Sequence, residues 1–89
     1  MTKVSFDPAF QRSFRKRAKR NSRLKLKFSE KLEQFIRDPF HPSLKTHKLS
    51  GKLQDLWSFS LDYDARVLFY FVEDNKAIFV DIGNHDQVY

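Results

Sequence analysis

Arg66-Val67-Leu68-Phe69-Tyr70-Phe71-Val72 opens on a charge and is then apolar or aromatic at every position. Side chains of a strand alternate between two faces. A run that is apolar at both parities therefore has both faces covered, and it is predicted to be the central strand of a sheet. On its N-terminal side Trp57, Phe59 and Leu61 alternate with Ser58, Ser60 and Asp62, the period of a strand with one wet face. Asp62-Tyr63-Asp64-Ala65 supplies the turn between the two. On the C-terminal side Glu73-Asp74-Asn75-Lys76 reads as a hairpin loop, and Ala77 to Ile82 as the last strand, ended by Gly83-Asn84. The second half of the chain is thus predicted to be an antiparallel meander.

The first half has a different period. Val4-Ser5-Phe6 is a short β-type start, followed by Asp7-Pro8, a helix-start pair. Phe10, Phe14 and Ala18 then fall on one stripe, which predicts a helix from about Pro8 to Lys19. Asn21-Ser22 reads as a break and a new cap. Leu24, Phe28, Leu32, Phe35 and Ile36 share one face of a second helix that runs to about Arg37, where Asp38-Pro39 ends it. Pro39 to Lys52 reads as loop or edge strand. The expected fold class is α+β, an N-terminal helical hairpin packed on one face of a small, mostly antiparallel β-sheet. Its 89 residues are expected to form a single domain.

A core this small buries only roughly 60–65% of the chain's surface. Ten Phe, three Tyr and one Trp compensate, since each buried aromatic removes about 150–250 Å² from water. The absence of cysteine excludes disulfides and thiolate metal sites. No apolar run approaches the ~18–20 residues of a membrane span, and MTKVSFD lacks the apolar stretch of a signal peptide, so the expected location is cytoplasmic, with no membrane partner.

The net charge is +6, and the excess is crowded. Arg12, Arg15, Lys16, Arg17, Lys19, Arg20, Arg23, Lys25, Lys27 and Lys31 are opposed in their stretch only by Glu30. The bland reading is a solvated helical face. The size of the imbalance favours a polyanionic or acidic partner instead.

No nucleotide-binding glycine loop, zinc-protease motif or serine-nucleophile motif is present. His41, His47 and His85 are not at ligand spacing, so no metal and no cofactor are expected. What remains is a set of polar residues at element ends: Lys45, His47 and Lys48, Arg66, His85 and Tyr89. RNA cleavage by its own 2′-hydroxyl needs a base, an acid and a cation on the phosphorane. Histidine suits both proton transfers, with an ordinary pKa near ~6.5. Arginine suits the third task, and an aromatic ring can hold a splayed base. His41, between Phe40 and Pro42, reads as structural. Arg66 has a competing reading as a partner of Asp62 or Asp64 across the turn.

Leu44-Lys45-Thr46-His47-Lys48-Leu49-Ser50-Gly51, Leu56-Trp57-Ser58-Phe59, Asp64-Ala65-Arg66-Val67-Leu68-Phe69-Tyr70 and Asp81-Ile82-Gly83-Asn84-His85-Asp86-Gln87-Val88-Tyr89, in this order and spacing, resemble the RelE/ParE toxin superfamily. The likeness is closest to its RelE- and YafQ-like mRNA interferases. It covers nearly the whole chain. The resemblance implies a toxin of a type II toxin–antitoxin system, an endoribonuclease that cuts mRNA in the ribosomal A site without a metal. It also implies a cognate acidic antitoxin. His47 and His85 would take part in proton transfer, with the division between base and acid left open. Arg66 would contact the scissile phosphate and Tyr89 would orient the substrate. Arg15, Lys16, Lys19, Arg23, Lys45 and Lys48 are candidate RNA contacts. The sequence departs from YafQ-like toxins on the strand before the central one, where Trp57-Ser58-Phe59-Ser60 offers no counterpart of a further histidine. Asp62 and Asp64 are candidate supporting acids. Two alternatives stand beside this reading: a non-enzymatic ParE-like inhibitor of a protein such as DNA gyrase, and a degenerate toxin that only binds its antitoxin.

If the basic hairpin drives association with RNA, counterion release makes the affinity fall steeply with salt. Reversing the charge of Arg15, Lys16 and Lys19 together is expected to weaken ribosome binding and flatten its salt dependence while the fold persists, as measured by cosedimentation across a salt series and by circular dichroism.

Overall fold

In the computed structural model, which describes residues 1–49 and 55–84, β1 (Lys3–Phe6) leads into α1 (Pro8–Ala18) and α2 (Leu24–Arg37). A 3₁₀ turn at Pro42–Leu44 follows, then β2 (His47–Lys48), β3 (Trp57–Ser60), β4 (Ala65–Glu73) and β5 (Lys76–Asn84). The sheet has five strands in the order β1-β5-β4-β3-β2. β4 occupies its middle, as the apolar run requires. All neighbours are antiparallel except β1 and β5, which run parallel. The fold is therefore the expected α+β class.

Asp7 caps α1 as the sequence indicates: its carboxylate accepts from the Ala9 amide at 2.8 Å, with Pro8 next in line. The second cap differs. Asn21 accepts from the Arg23 amide, and α2 begins only at Leu24, with Arg23 at the cap position and no side-chain cap bond. The two helices run antiparallel. Phe28 of α2 meets Phe14 at 4.9 Å and Phe10 at 5.6 Å between ring centroids, and near the far end of α2 the Ile36 carbonyl accepts from Thr2.

Both helices cover one face of the sheet. Phe35 sends its ring into Phe59, Phe69 and Phe79 of three adjacent strands, with centroids 5.1, 5.0 and 5.2 Å away. All four rings are fully buried. On this face β4 contributes Ala65, Val67, Phe69 and Phe71, and β5 contributes Ala77, Phe79 and Ile82. Arg66, Leu68 and Tyr70 consequently point to the opposite, helix-free face.

Two expectations need correction. Gly83-Asn84 does not end the last strand, because β5 pairs with β4 through Asn84. A register shift between Leu68 and Phe69 leaves Val80 unpaired, and this bulge moves the inward position from an odd to an even residue. Nor is the polar face of β3 wet throughout: Ser58 is fully buried. It sits in the interior of the sheet between His47 of β2 and Leu68 of β4, two taller side chains that flank a short one. Among the described residues no helix is long and apolar enough to cross a membrane.

Phe35→Ala removes the ring that ties α2 to three strands. It is expected to lower stability by about 3–5 kcal/mol, read as a lower midpoint in urea denaturation.

Candidate active site

At one end of the sheet β3 finishes, β4 begins and β5 finishes, and the C-terminal end of α1 arrives beside them. The turn between β3 and β4 is fixed by its own residues. The Asp62 carboxylate accepts from the amides of Asp64 and Ala65, each at 2.9 Å, and lies 3.7 Å from the Lys27 ammonium. The Ser60 hydroxyl donates to the Asp62 carbonyl. Asp62 thus fixes the turn and faces Lys27, while Asp64 stays exposed.

Arg66 follows this turn directly. Its cross-strand neighbours are Ser60 on β3 and Gly83 on β5. Gly83 has no side chain, which leaves room beside the arginine stem on the helix-free face. One guanidinium nitrogen, Nη1, is buried there.

His47 is on the same face, opposite Ser58. Its Nδ1 lies 3.0 Å from the Lys45 carbonyl. A carbonyl only accepts, so Nδ1 carries the proton and Nε2 holds the lone pair when the ring is neutral. Lys45 reaches this position in the left-handed region, at φ 52° and ψ 41°. Such a conformation costs about 1–2 kcal/mol for a residue with a Cβ. The strained carbonyl is the one that orients the imidazole. Two strand spacings and a two-residue offset separate the Cα atoms of His47 and Arg66, roughly 12 Å, a span that both side chains can close on one phosphate.

The cationic residues divide. Lys16, Arg17 and Arg20 line a cleft of about 630 Å³ beside Ala65, Ile82 and Asn84, adjoining the start of β4. Within it Arg17 donates to the Asn84 side chain at 2.8 Å and Ser13 donates to the Asp81 carboxylate at 2.8 Å. Asp62, Asp64 and Asp81 also line it, so the cleft is mixed in charge. The sequence reading gave no role to Ser13, Asp81 and Asn84; Ser13 lies in the middle of α1 and Asp81 inside β5, and Asn84 alone of the three ends an element. Arg15, Lys19 and Arg23 are exposed and do not line the cleft. Lys45 and Lys48 are exposed as well, but strand alternation points Lys48 away from His47. His41 is structural, as expected: its Nδ1 accepts from the Ser43 amide. His85 and Tyr89 lie outside the described residues. Among the described residues no group of three His, Asp or Glu side chains is placed to hold a metal ion.

The model of a bacterial toxin family of type II toxin–antitoxin systems, YafQ, matches residues 2–89. The chain belongs to the YafQ toxin family. No curated protein matches it in sequence. Among solved structures, a copper-bound mutant toxin from Helicobacter pylori is 21% identical, with a TM-score of 0.79 and full coverage of both chains. YafQ from E. coli is 14% identical at a TM-score of 0.77, covering 100% of this chain and 99% of that one. A YoeB–YefM complex from Staphylococcus aureus is 20% identical at a TM-score of 0.73, over 96% and 98% of the chains. At these identities the neighbours establish the shared fold, and the family match carries the membership.

In this YafQ-family toxin the Asp62 turn sets where β4 starts. Asp62→Ala leaves the Asp64 and Ala65 amides without their acceptor and is expected to destabilise the domain by about 1–3 kcal/mol, read as a lower Tm. Amide exchange is expected to rise first at Asp64 and Ala65.

Proposed function

We propose that this toxin is an endoribonuclease that cuts mRNA in the ribosomal A site. The observation that carries the reading is the placement of Arg66 and His47 on one helix-free sheet face, with Arg66 at the end where a cleft of mixed charge opens. Family membership adds the expectation of a toxin neutralised by an antitoxin. The strong positive charge suits an acidic antitoxin segment that folds on binding, and the S. aureus neighbour's complex with YefM supports such a partner. Ribosomal mRNA as target places the action in the cytoplasm.

The step needs only side chains. The 2′-oxygen bonds to phosphorus as its proton passes to a base. The bond from phosphorus to the 5′-oxygen breaks as an acid protonates that oxygen, leaving a cyclic phosphate and a 5′-hydroxyl. His47 and His85 share the two proton transfers, Arg66 compensates the charge that grows on the phosphorane, and Tyr89 holds a neighbouring base. Lys16, with Arg15, Lys19 and Arg23 on the exposed helical surface, and Lys45 and Lys48 near β2, supply phosphate contacts. Such contacts set affinity and register without reading sequence.

The roles rank the variants. Loss of a general acid or base typically costs ~10²–10⁴-fold, and loss of a charge-stabilising arginine is comparable. His85→Ala and Arg66→Ala are expected to abolish single-turnover cleavage on programmed ribosomes while still binding antitoxin. His47→Ala is expected to reduce it in part, and Tyr89→Ala to weaken substrate positioning by roughly 1–3 kcal/mol. A chelator selective for copper and zinc is expected to leave the rate unchanged. Wild-type rates in both His85→Ala and Arg66→Ala would place the site elsewhere, and growth arrest without cleavage would identify an inhibitor of a protein target.

A further inference from the structure

β5 loses its outer neighbour before it ends. β1 pairs with it only as far as Phe79, where the Asp7 amide bonds the Phe79 carbonyl as the chain turns into α1. From there to Asn84 the described residues place β4 alone beside the strand, and the bulge at Val80 interrupts that pairing. A bulged strand bends and twists more than a regular one. Yet this stretch carries Gly83 opposite Arg66 and leads directly into His85, so its path needs another support.

α1 provides it. Ser13 and Arg17 are four residues apart and share one face of the helix. The Ser13 hydroxyl donates to the Asp81 carboxylate, and Arg17 Nη1 donates to the Asn84 side-chain oxygen, each at 2.8 Å. The same Asp81 oxygen accepts from the Ile82 amide at 2.8 Å. The two acceptors flank Ile82 and Gly83, both buried. Arg17 is half-buried, whereas Arg15, Lys16, Lys19 and Arg20 around it are exposed. Its guanidinium reaches the sheet while its neighbours project to solvent.

We propose that Arg17 is a positioning residue rather than an RNA contact. With Ser13 it takes the place of the missing outer strand and fixes the end of β5, and with it the strand beside Arg66 and the point from which the chain continues to His85. The proposal rests on the reading of Arg66 and His85 as reacting groups. Reaction geometry is sensitive to small displacements, and one of about 1 Å that originates far from the chemistry can cost ~10²-fold in rate.

The test uses the full-length toxin with Arg17→Ala, Asn84→Ala, the two together, Asn84→Asp, and Lys16→Ala for contrast. Single-turnover cleavage is followed over a range of programmed-ribosome concentrations, well below the Tm of every variant. Arg17→Ala and Asn84→Ala are each expected to lower the rate at saturation by about 10–10²-fold, with the half-saturating concentration and its salt dependence near wild type. Lys16→Ala is expected to do the reverse, since a phosphate contact acts on affinity. The double variant is expected to be no slower than the slower single one, as for two partners in one bond. Asn84→Asp is expected to keep most of the rate, because a carboxylate accepts from the guanidinium as the amide does. Asn84 is exposed, so Asn84→Ala carries the test if Arg17→Ala does not fold. A wild-type rate in Asn84→Ala, additive losses in the double variant, or an Asn84→Asp as slow as Asn84→Ala overturns the proposal. So does an Arg17→Ala that weakens binding alone, which makes Arg17 a phosphate contact. Wild-type cleavage by both His85→Ala and Arg66→Ala instead removes the reading on which the proposal stands.

Discussion

Phe35 reaching from α2 into Phe59, Phe69 and Phe79 is the contact on which the remaining architecture depends. It ties one helix to three adjacent strands and so decides which face of the sheet is closed. Aromatic pairs at these separations add directional preference to simple area burial, which favours one docking of the helical hairpin over a sliding one. Once that face is occupied, strand alternation leaves the opposite one for Arg66, Ser58 and His47. The position of the proposed site follows from where the phenylalanines are.

The charge and the proposed site residues occupy different parts of this molecule. Most of the cationic excess is carried by α1 and the start of α2, on the closed side of the sheet, while His47 and Arg66 stand on the open side. They meet at one end only, where Lys16, Arg17 and Arg20 approach the beginning of β4. Several of these cations also serve the fold: Arg17 holds Asn84, Lys27 faces Asp62, and Lys31 donates to the Ser43 carbonyl. A count of basic residues therefore overstates the charge available to a polyanion.

Much of this was legible in the order of residues. The Asp7-Pro8 start, the apolar stripes of both helices and the two-sided apolar run of β4 each express a local rule that the tertiary structure does not override. The helix-free face was harder. Ser58 was expected to be wet because alternation reports parity, not the height of neighbouring side chains, and those neighbours come from strands that only the fold brings together. The part Asp62 plays in its turn depends on amides next to it and on Lys27, which is distant in sequence. The pairing of His47 with the Lys45 carbonyl depended on a left-handed lysine, which no composition rule announces. His85 and Tyr89 were singled out as polar residues after the last strand and given roles by resemblance, and they lie outside the described residues.

The bulge at Val80 acts as a parity switch on the last strand. Before it, Ala77 and Phe79 face the helices; after it, Ile82 does, and Gly83 falls opposite Arg66. Paired regularly through Val80, without the bulge, Asp81 would occupy an inward position at the end of the core and Ile82 would face outward beside the arginine. The pairing of this segment is therefore constrained as tightly as its composition. Substitutions along β5 act on one face at a time, whereas losing the bulge at constant length exchanges the two faces beyond it together.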